Sequence, residues 1–499
     1  MAGYLDFANK IVWGVPALVL ILGVGVYLSF RTGFAQLRLF PNALRLFFSR
    51  FRQKKTNDGI SPFQALCTAL AATVGTGNLV GVAGAIALGG PGAIFWMWVC
   101  ALLGMVTKFA EATLAVRFRL KKNGEYVGGP MYMIREGLPK GWAWLGSVYA
   151  FFGVIAAFGV GNATQINAVI TGINQVIRCF GGMESAKRNL GMGILLAILI
   201  GSVLLGGGKR IGQAAELLVP FASCAYLLVC MGVLLLRASA IPHAMAAIVQ
   251  GAFSPGAVTG GMVGSCFQAL RIGVSRGVFT NEAGMGTASI AHASAEVRHP
   301  VEQGMMGILE VFLDTVVICT MTALVILCSG VPVSYGVDTG GELTSAAFVS
   351  VYGNWVSILL AVSLCCFAFA TVLGWGLYGI RCAQFLFGPN CAKAFSLLQC
   401  GMVILSSVLK TGTIWSLAET INGLMAIPNL IVLVGLSPEL GRLTMEYQNL
   451  CGPGAAGGTY ENFNQRKPLS AFPHAKVPSL RAGSQETGQE NLSPEHRSA

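Results

Sequence analysis

The chain has 499 residues, of which only 11% are charged and 54% hydrophobic, and its mean hydropathy is +0.67. A soluble protein would carry about a quarter charged residues, and no single water-soluble core grows this large and this apolar, so the composition indicates a polytopic membrane protein. The net charge of +12 does not indicate a nucleic-acid binder, because the basic residues gather in short gaps between apolar runs, where Lys and Arg hold loops on the cytoplasmic side.

A bilayer crossing needs about 20 apolar residues. In chain order such runs fall near 11–30, 62–87, 91–116, 142–176, 190–207, 211–236, 260–285, 302–329, 346–379, 392–410 and 412–437, eleven in all. The first lacks a basic n-region and a small-residue cleavage site, so it is expected as a retained helix rather than a signal peptide. The gap 31–61 holds seven Lys/Arg and the gap 117–141 holds six, with Lys209 and Arg210 in the next gap of that parity. The alternate gaps 177–189 and 237–259 hold three and one. This asymmetry places the N-terminus outside and the C-terminus in the cytoplasm. Residues 438–499 are expected as a cytoplasmic tail, disordered from about 449 on, where Gly, Pro, Ser, Asn, Gln and Glu replace any apolar period. The 14 cysteines lie mostly inside apolar runs, as at Cys100, Cys365 and Cys366, where a thiol behaves as a small hydrophobe. No CxxC pair or Cys/His cluster suggests zinc, and no disulfide framework is implied.

Beyond an N-terminal helix and basic linker (1–61), ten runs divide into halves of nearly equal length, 62–237 and 260–437, with an external connection at 238–259. Five is odd, so the second half enters the membrane from the opposite side and the halves form an inverted repeat. The opening run of each half is rich in glycine and small polar residues, from Ala71 to Asn78 in the first and from Gly264 to Gly277 in the second. Interrupted helices at matching places point to a transporter's midplane site, with breaks expected at 75–77 and around 268–273. Lipid cannot satisfy unwound backbone, whereas a ligand can. The competing reading is that these glycines only let helices approach closely.

Residues 89–104 read Gly-Gly-Pro-Gly-Ala-Ile-Phe-Trp-Met-Trp-Val-Cys-Ala-Leu-Leu-Gly, and 276–293 read Arg-Gly-Val-Phe-Thr-Asn-Glu-Ala-Gly-Met-Gly-Thr-Ala-Ser-Ile-Ala-His-Ala. With Glu310–Asp314, Gly128–Met133 and Phe367–Trp375, they resemble the sodium:alanine symporter family, also called the alanine or glycine:cation symporters, over nearly all of 60–380. The resemblance implies an all-α, leucine-transporter-type fold of ten core helices, discontinuous in the first and sixth, plus one extra N-terminal helix. It further implies sodium-coupled import of alanine or glycine, with D-alanine and serine as further candidates, across a bacterial cytoplasmic (inner) membrane. Neither an enzymatic activity, a cofactor besides the co-transported sodium, nor an obligate protein partner is expected.

A small amino acid is a zwitterion, so a buried site must offer donors to its carboxylate and acceptors to its ammonium. Backbone N–H groups at Gly75, Thr76 and Gly77, with the positive end of the following half-helix, suit the carboxylate. Asn78 either caps the break or reaches the ligand. Gln165 is a mid-membrane amide that needs a partner, either substrate or another helix. Gln268 and carbonyls near it are expected to receive the ammonium, and Phe267 and Trp375 are either pocket walls or packing residues. Sodium is hard and takes oxygen ligands. The arrangement carried over from the leucine-transporter type assigns it carbonyls of Ala71 and Val74 and the Thr371 hydroxyl, which is also a candidate substrate contact. Ala370 stands where the family often has a hydroxyl residue and can offer only its carbonyl.

Asp314 and Glu310 lie four apart inside a span, which makes them candidates for proton coupling in a rival symporter mechanism; the other reading is structural pairing with Lys108 or Arg271. Lys108 and Glu111 are candidates to pair with each other. His292, Glu296 and His299 have helical spacing but are expected in a cytoplasmic loop, without a metal. No filter-like repeat suggests a channel, and no nucleophile–base pair suggests a membrane enzyme.

Overall fold

An apolar chain in lipid can satisfy its main chain only as helix or closed barrel, and the runs here are helical. The computed structural model describes residues 12–51, 59–122, 124–337, 340–409 and 412–451. The first helices are α1 (Val15–Arg31), with a proline in its first turn, and the amphipathic α2 (Phe40–Phe51). Next come α3 (Pro62–Thr73) and α4 (Val82–Gly89), separated by Val74–Thr76 and a π-helical turn at Gly77–Gly81. The two arms bend by 52°. Ser61 and Gln64 form a reciprocal cap that starts α3, and extended Val74 (φ −77°, ψ 102°) ends it.

The long α5 (Gly92–Arg117) leads into the hairpin β1 (Leu120–Lys122) and β2 (Glu125–Val127), paired antiparallel with Leu120 opposite Val127. Then follow α6 (Pro130–Gly137), α7 (Ala143–Phe158), a π turn at Gly159–Ala163, α8 (Thr164–Cys179), α9 (Ala186–Leu204), α10 (Gly207–Leu236) and α11 (Ile241–Phe253).

In the second half, α12 (Cys266–Asn281) and α13 (Thr287–His292) flank a break at 282–286. α14 (Pro300–Val311) passes through a π-helical stretch, Phe312–Cys319, into α15 (Thr320–Cys328). The last helices are α16 (Gly341–Tyr352), α17 (Val356–Phe387), α18 (Ala392–Ser406), α19 (Gly412–Gly435) and α20 (Ser437–Cys451). α5 packs along α12 and α14, and α17 packs against α7, α8, α10 and α3. The two broken helices thus sit between a wall led by α5 and a wall led by α17.

By length and hydropathy, six helical stretches among the described residues can cross a membrane, or eight with the two bent pairs counted as spans. The expected runs near 11–30, 260–285 and 392–410 are helical but shorter, at 17, 16 and 15 residues. The run expected at 346–379 is two helices, because left-handed Gly353 (φ +78°) ends α16 before α17 begins.

Two expectations are corrected. The second break is not near 268–273. Gly273 and Gly277 lie in the unbroken α12, where a Cβ on Gly273 would meet the Ala93 carbonyl oxygen at 2.3 Å and one on Gly277 would meet Cys100 at 3.2 Å. Those glycines serve close helix packing. The chain leaves the helix at Glu282 (φ +53°) and passes through left-handed Gly284 (φ +93°) and Gly286 (φ +77°). The expected tail is also shorter at its start, since Ser437–Cys451 is an amphipathic helix that packs on α1, α5 and α14; the remainder, 452–499, lies outside the described residues.

His299 caps α14, with its Nδ1 accepting from the Val301 N–H at 3.2 Å, one residue before the span begins. Only the neutral ring can accept there. Burial first, and then the Arg442 guanidinium, push its pKa down to about 4, although the Glu446 carboxylate stands 3.9 Å away. The unfolded chain binds this proton near pH 6.5, so the capping stability is complete above that pH and is lost as pH falls toward 4. The thermal midpoint of the purified protein should fall between pH 7 and pH 5, and His299→Gln should flatten that fall.

Candidate functional site

A helix leaves its last four carbonyls and first four N–H groups without partners, so each break concentrates free polar backbone. At the first break the Val74 N–H still reaches the Leu70 carbonyl. Ala71, in the last turn of α3, and Val74 beyond it are buried. Gly75 donates its N–H to Asn78 Oδ1 at 2.8 Å, and Asn78 donates through Nδ2 to Asp314 Oδ1 at 2.7 Å. Asp314 Oδ2 accepts from the Thr315 hydroxyl at 2.8 Å, and that hydroxyl accepts from Asn281 at 3.2 Å. Asn78 therefore caps the break and ties it to α14's π-helical continuation.

Gly75 is also where three helices converge. A Cβ built on it would lie 2.8 Å from Thr371 Oγ1 and 3.4 Å from Gln165 Oε1. Gln165 donates to the Val160 carbonyl at 3.3 Å, while its Oε1 is buried without a hydrogen-bond partner, as is Thr76 Oγ1. Thr371 donates to the Phe367 carbonyl at 3.0 Å, which leaves its oxygen lone pairs for another ligand. One turn on, α17 comes so near α3 that a Cβ on Gly374 would meet the Ala72 main-chain nitrogen at 3.0 Å. Gly77 faces Thr280 of α12. Ala370 is buried within the regular helix α17.

The second break is held by carboxylates that sequence reasoning missed. Glu111 Oε1 accepts from the N–H groups of Gly284 (2.9 Å) and Gly286 (3.1 Å) and from Asn429 (2.7 Å). Glu282 Oε1 accepts from the Trp375 indole at 3.1 Å, and its Oε2 accepts from the Thr287 hydroxyl at 2.6 Å. Behind it, Lys108 Nζ meets Glu310 Oε1 at 2.9 Å and His292 Nε2 meets Glu310 Oε2 at 2.9 Å, while Gln303 donates to His292 Nδ1 at 2.6 Å. All of these charged groups are buried. The signal was present in Asn281-Glu282-Ala283-Gly284-Met285-Gly286, a carboxylate and alternate glycines in an apolar chain.

Gly75, Thr76, Gly77, Asn78, Gln165, Thr371 and Trp375 thus gather about the two breaks, with Ala71 and Val74 at the end of α3. Phe267 and Gln268 do not join them. Both lie in the first turn of α12, where the Phe267 side chain is 53% exposed and Gln268 donates to the Leu88 carbonyl at 2.9 Å. The helix runs on for several turns before it breaks, which carries them away from the site. Lys108 pairs with Glu310 rather than Glu111, and Asp314 contacts amide and hydroxyl groups rather than a cation. His292 is a buried helical residue, not a loop residue. No metal-holding cluster of His, Cys, Asp and Glu occurs among the described residues.

A cavity of about 360 Å³ opens beside the first break, lined by Leu79, Asn167, Thr171, Thr344, Ser357 and Leu360 among others. Elsewhere, polar contacts join segments that flank α3 and α13. Ile60 pairs with Ala295, the Glu296 N–H donates to the Ile60 carbonyl at 2.9 Å, and Arg119 donates to the carbonyls of Ala293 and Ala295 while stacking on Tyr126 at 3.8 Å.

The family model described as "Sodium:alanine symporter family" matches residues 1–456. The chain is 42% identical over 443 residues to the sodium/alanine symporter AgcS of Methanococcus maripaludis, covering 87% of this chain and 94% of that protein. It is 38% identical over 447 residues to a protein of Bacillus subtilis described as the probable sodium/glutamine symporter GlnT, covering 89% and 90%. Its fold is similar to the crystal structure of MhsT in complex with L-phenylalanine, with a TM-score of 0.53, 15% identity, and coverage of 79% of this chain and 99% of that one.

Removing the Asn78 amide leaves the Gly75 N–H and one Asp314 oxygen buried without their partner. Each such group costs about 1–3 kcal/mol, so Asn78→Ala should lower stability by about 2–6 kcal/mol in thermal or denaturant unfolding of the purified protein, with the helical circular dichroism signal retained.

Proposed function

The chain belongs to the sodium:alanine symporter family, and from that premise we propose that it imports a small neutral amino acid, alanine or glycine, driven by sodium. It is a membrane transporter rather than an enzyme. The observation that carries the substrate reading is the convergence of Gly75, Gln165 Oε1 and Thr371 Oγ1 at the unwound end of α3. Backbone N–H groups of Thr76 and Gly77 take the carboxylate, the Gly75 N–H being held by Asn78. Gln165 Oε1 takes the ammonium, together with carbonyls of 282–286 in place of Gln268. Trp375, packed over Gly161 and anchored to Glu282, is the wall that favours a methyl or hydrogen side chain, with serine and D-alanine as further candidates. Sodium sits between the carbonyls of Ala71 and Val74 and the Thr371 hydroxyl, a neutral oxygen set suited to a hard monovalent cation, with Ala370 contributing at most a carbonyl.

The proposed topology has eleven spans, the N-terminus outside and the C-terminus in the cytoplasm of a bacterial inner membrane, with inverted halves 62–237 and 260–437. Its support is the basic bias of the gaps and the opening of each half by a broken helix, 62–89 and 266–292. The cavity beside Leu79 and Thr344 is then the outer vestibule, and the contacts of Arg119 and Ile60 are the inner closure. Coupling follows if sodium and substrate together favour the occluded arrangement more than either does alone.

Proton coupling is the second reading. Glu310 is already paired to Lys108 and His292, so that reading rests on Asp314, which touches the first break through Asn78.

Uptake of radiolabelled alanine into vesicles, competed with unlabelled amino acids, should require sodium and be inhibited first by alanine and glycine. Thr371→Val should cut sodium-dependent uptake at least tenfold in folded protein. Unchanged uptake with choline in place of sodium, together with collapse under a protonophore and in Asp314→Asn, overturns sodium coupling in favour of protons. Arg119→Ala should loosen the inner closure, read as several-fold faster labelling of a cysteine introduced at Ala69 by an impermeant reagent from the cytoplasmic face.

A further inference from the structure

A second cavity, of about 350 Å³, lies far from the breaks, where the end of α1 meets α20. Arg31, Thr32, Gly33, Arg38, Arg442 and Gln448 line it. Arg38 is held in place by donating to the Thr32 carbonyl at 2.9 Å. This is possible because Gly33 turns the chain in the left-handed region (φ +62°), and a Cβ there would stand 3.2 Å from Arg38 Nη2. Across the cavity, Arg442 is neutralised by Glu439 and Glu446, and Glu439 is shared with Arg117. Neither Arg31 nor Arg38 has a carboxylate partner among the described residues. The pocket therefore presents two uncompensated guanidiniums, Arg38 held by its bond to Thr32 and Arg31 beside it on the same lining, and a guanidinium fork suits a phosphate.

Its surroundings say where that phosphate comes from. The apolar helix α1 ends at Arg31, which sets the pocket at headgroup depth if α1 spans the bilayer. Around it, Phe30 (70%), Phe34 (43%), Leu37 (56%) and Met445 (61%) are exposed, a patch that water would disfavour and acyl chains would cover. Basic pockets between membrane helices hold anionic headgroups. A zwitterionic headgroup is less well served, because the carboxylates that would meet its ammonium are engaged with Arg442 and Arg117.

We propose that the Arg31–Arg38–Arg442 pocket is a binding site for the phosphate of an anionic phospholipid, such as phosphatidylglycerol, which ties the N-terminal helix α1 to the C-terminal helix α20. The site does not depend on what the protein transports, since its readout is lipid binding. The purified full chain, in detergent, is titrated with phosphatidylglycerol, phosphatidylcholine or inorganic phosphate, and binding is followed by native mass spectrometry and thermal midpoint. Phosphatidylglycerol should bind and raise the midpoint, and phosphatidylcholine should not. Each guanidinium near an anionic surface is worth about fivefold, so Arg31→Gln with Arg38→Gln should weaken phosphatidylglycerol by about twenty- to thirtyfold. Equal effectiveness of inorganic phosphate upholds the anion site but overturns the lipid as its source. Equal retention of phosphatidylglycerol by wild type and variant, or equal binding of phosphatidylcholine, overturns the site. Should the double variant fail to fold, the single variants Arg31→Lys and Arg31→Gln provide the same comparison, with retention expected to follow charge and geometry in that order.

Discussion

Breaking a main-chain hydrogen-bond ladder inside an apolar environment leaves donors and acceptors that must be met from within the protein. Everything near the candidate site follows from how two such breaks are met. At the first, the Asn78 amide takes the Gly75 N–H and passes the contact on to Asp314. At the second, one oxygen of Glu111 takes two glycine N–H groups and the Asn429 amide. What these caps leave unused is as informative as what they use. Gln165 Oε1 and Thr76 Oγ1 are buried and unpartnered, next to the carbonyls at the end of α3, so the polar groups left over gather where a polar ligand would satisfy them.

The buried charges form a second layer. An isolated charge in such an interior is prohibitively costly, and a pair is tolerated only with good geometry and further hydrogen bonds. Glu310 meets that condition, with Lys108 on one oxygen and His292 on the other, and Gln303 fixes the histidine. The pairing holds α14 against α5 and α13, so the second arm of the second broken helix is fastened to the wall behind it. Glu282, by contrast, faces the site and anchors Trp375, linking the second break to α17 and hence to Thr371 on the same helix.

This layout also explains an asymmetry of the two ends. On one side Leu79 and α8, α16 and α17 leave a cavity. On the other, residues 59–62, the segment 293–296 and the hairpin are joined by backbone pairing and by Arg119. The contacts there are hydrogen bonds to loop carbonyls and one stacked arginine rather than an apolar core.

The sequence by itself determined that the chain lives in lipid, where most of its helices run, and that the first helix of the core is interrupted near Gly75–Gly77. These are legible because periodicity, charge deficit and a Gly-Thr-Gly-Asn interruption are local properties of the chain. The tertiary structure alone decided the second break. Glycine at 273 and 277 and glycine at 284 and 286 look alike in one dimension, and only the closeness of α5 shows that the first pair serves packing while the left-handed backbone of the second serves unwinding. It also decided that Phe267 and Gln268 lie outside the site, that Glu111 caps a segment 173 residues away, and that Arg31 and Arg442 face one cavity. Each of these depends on which helices touch, and contact between distant segments of a membrane chain is set by packing and polar satisfaction that no local pattern encodes.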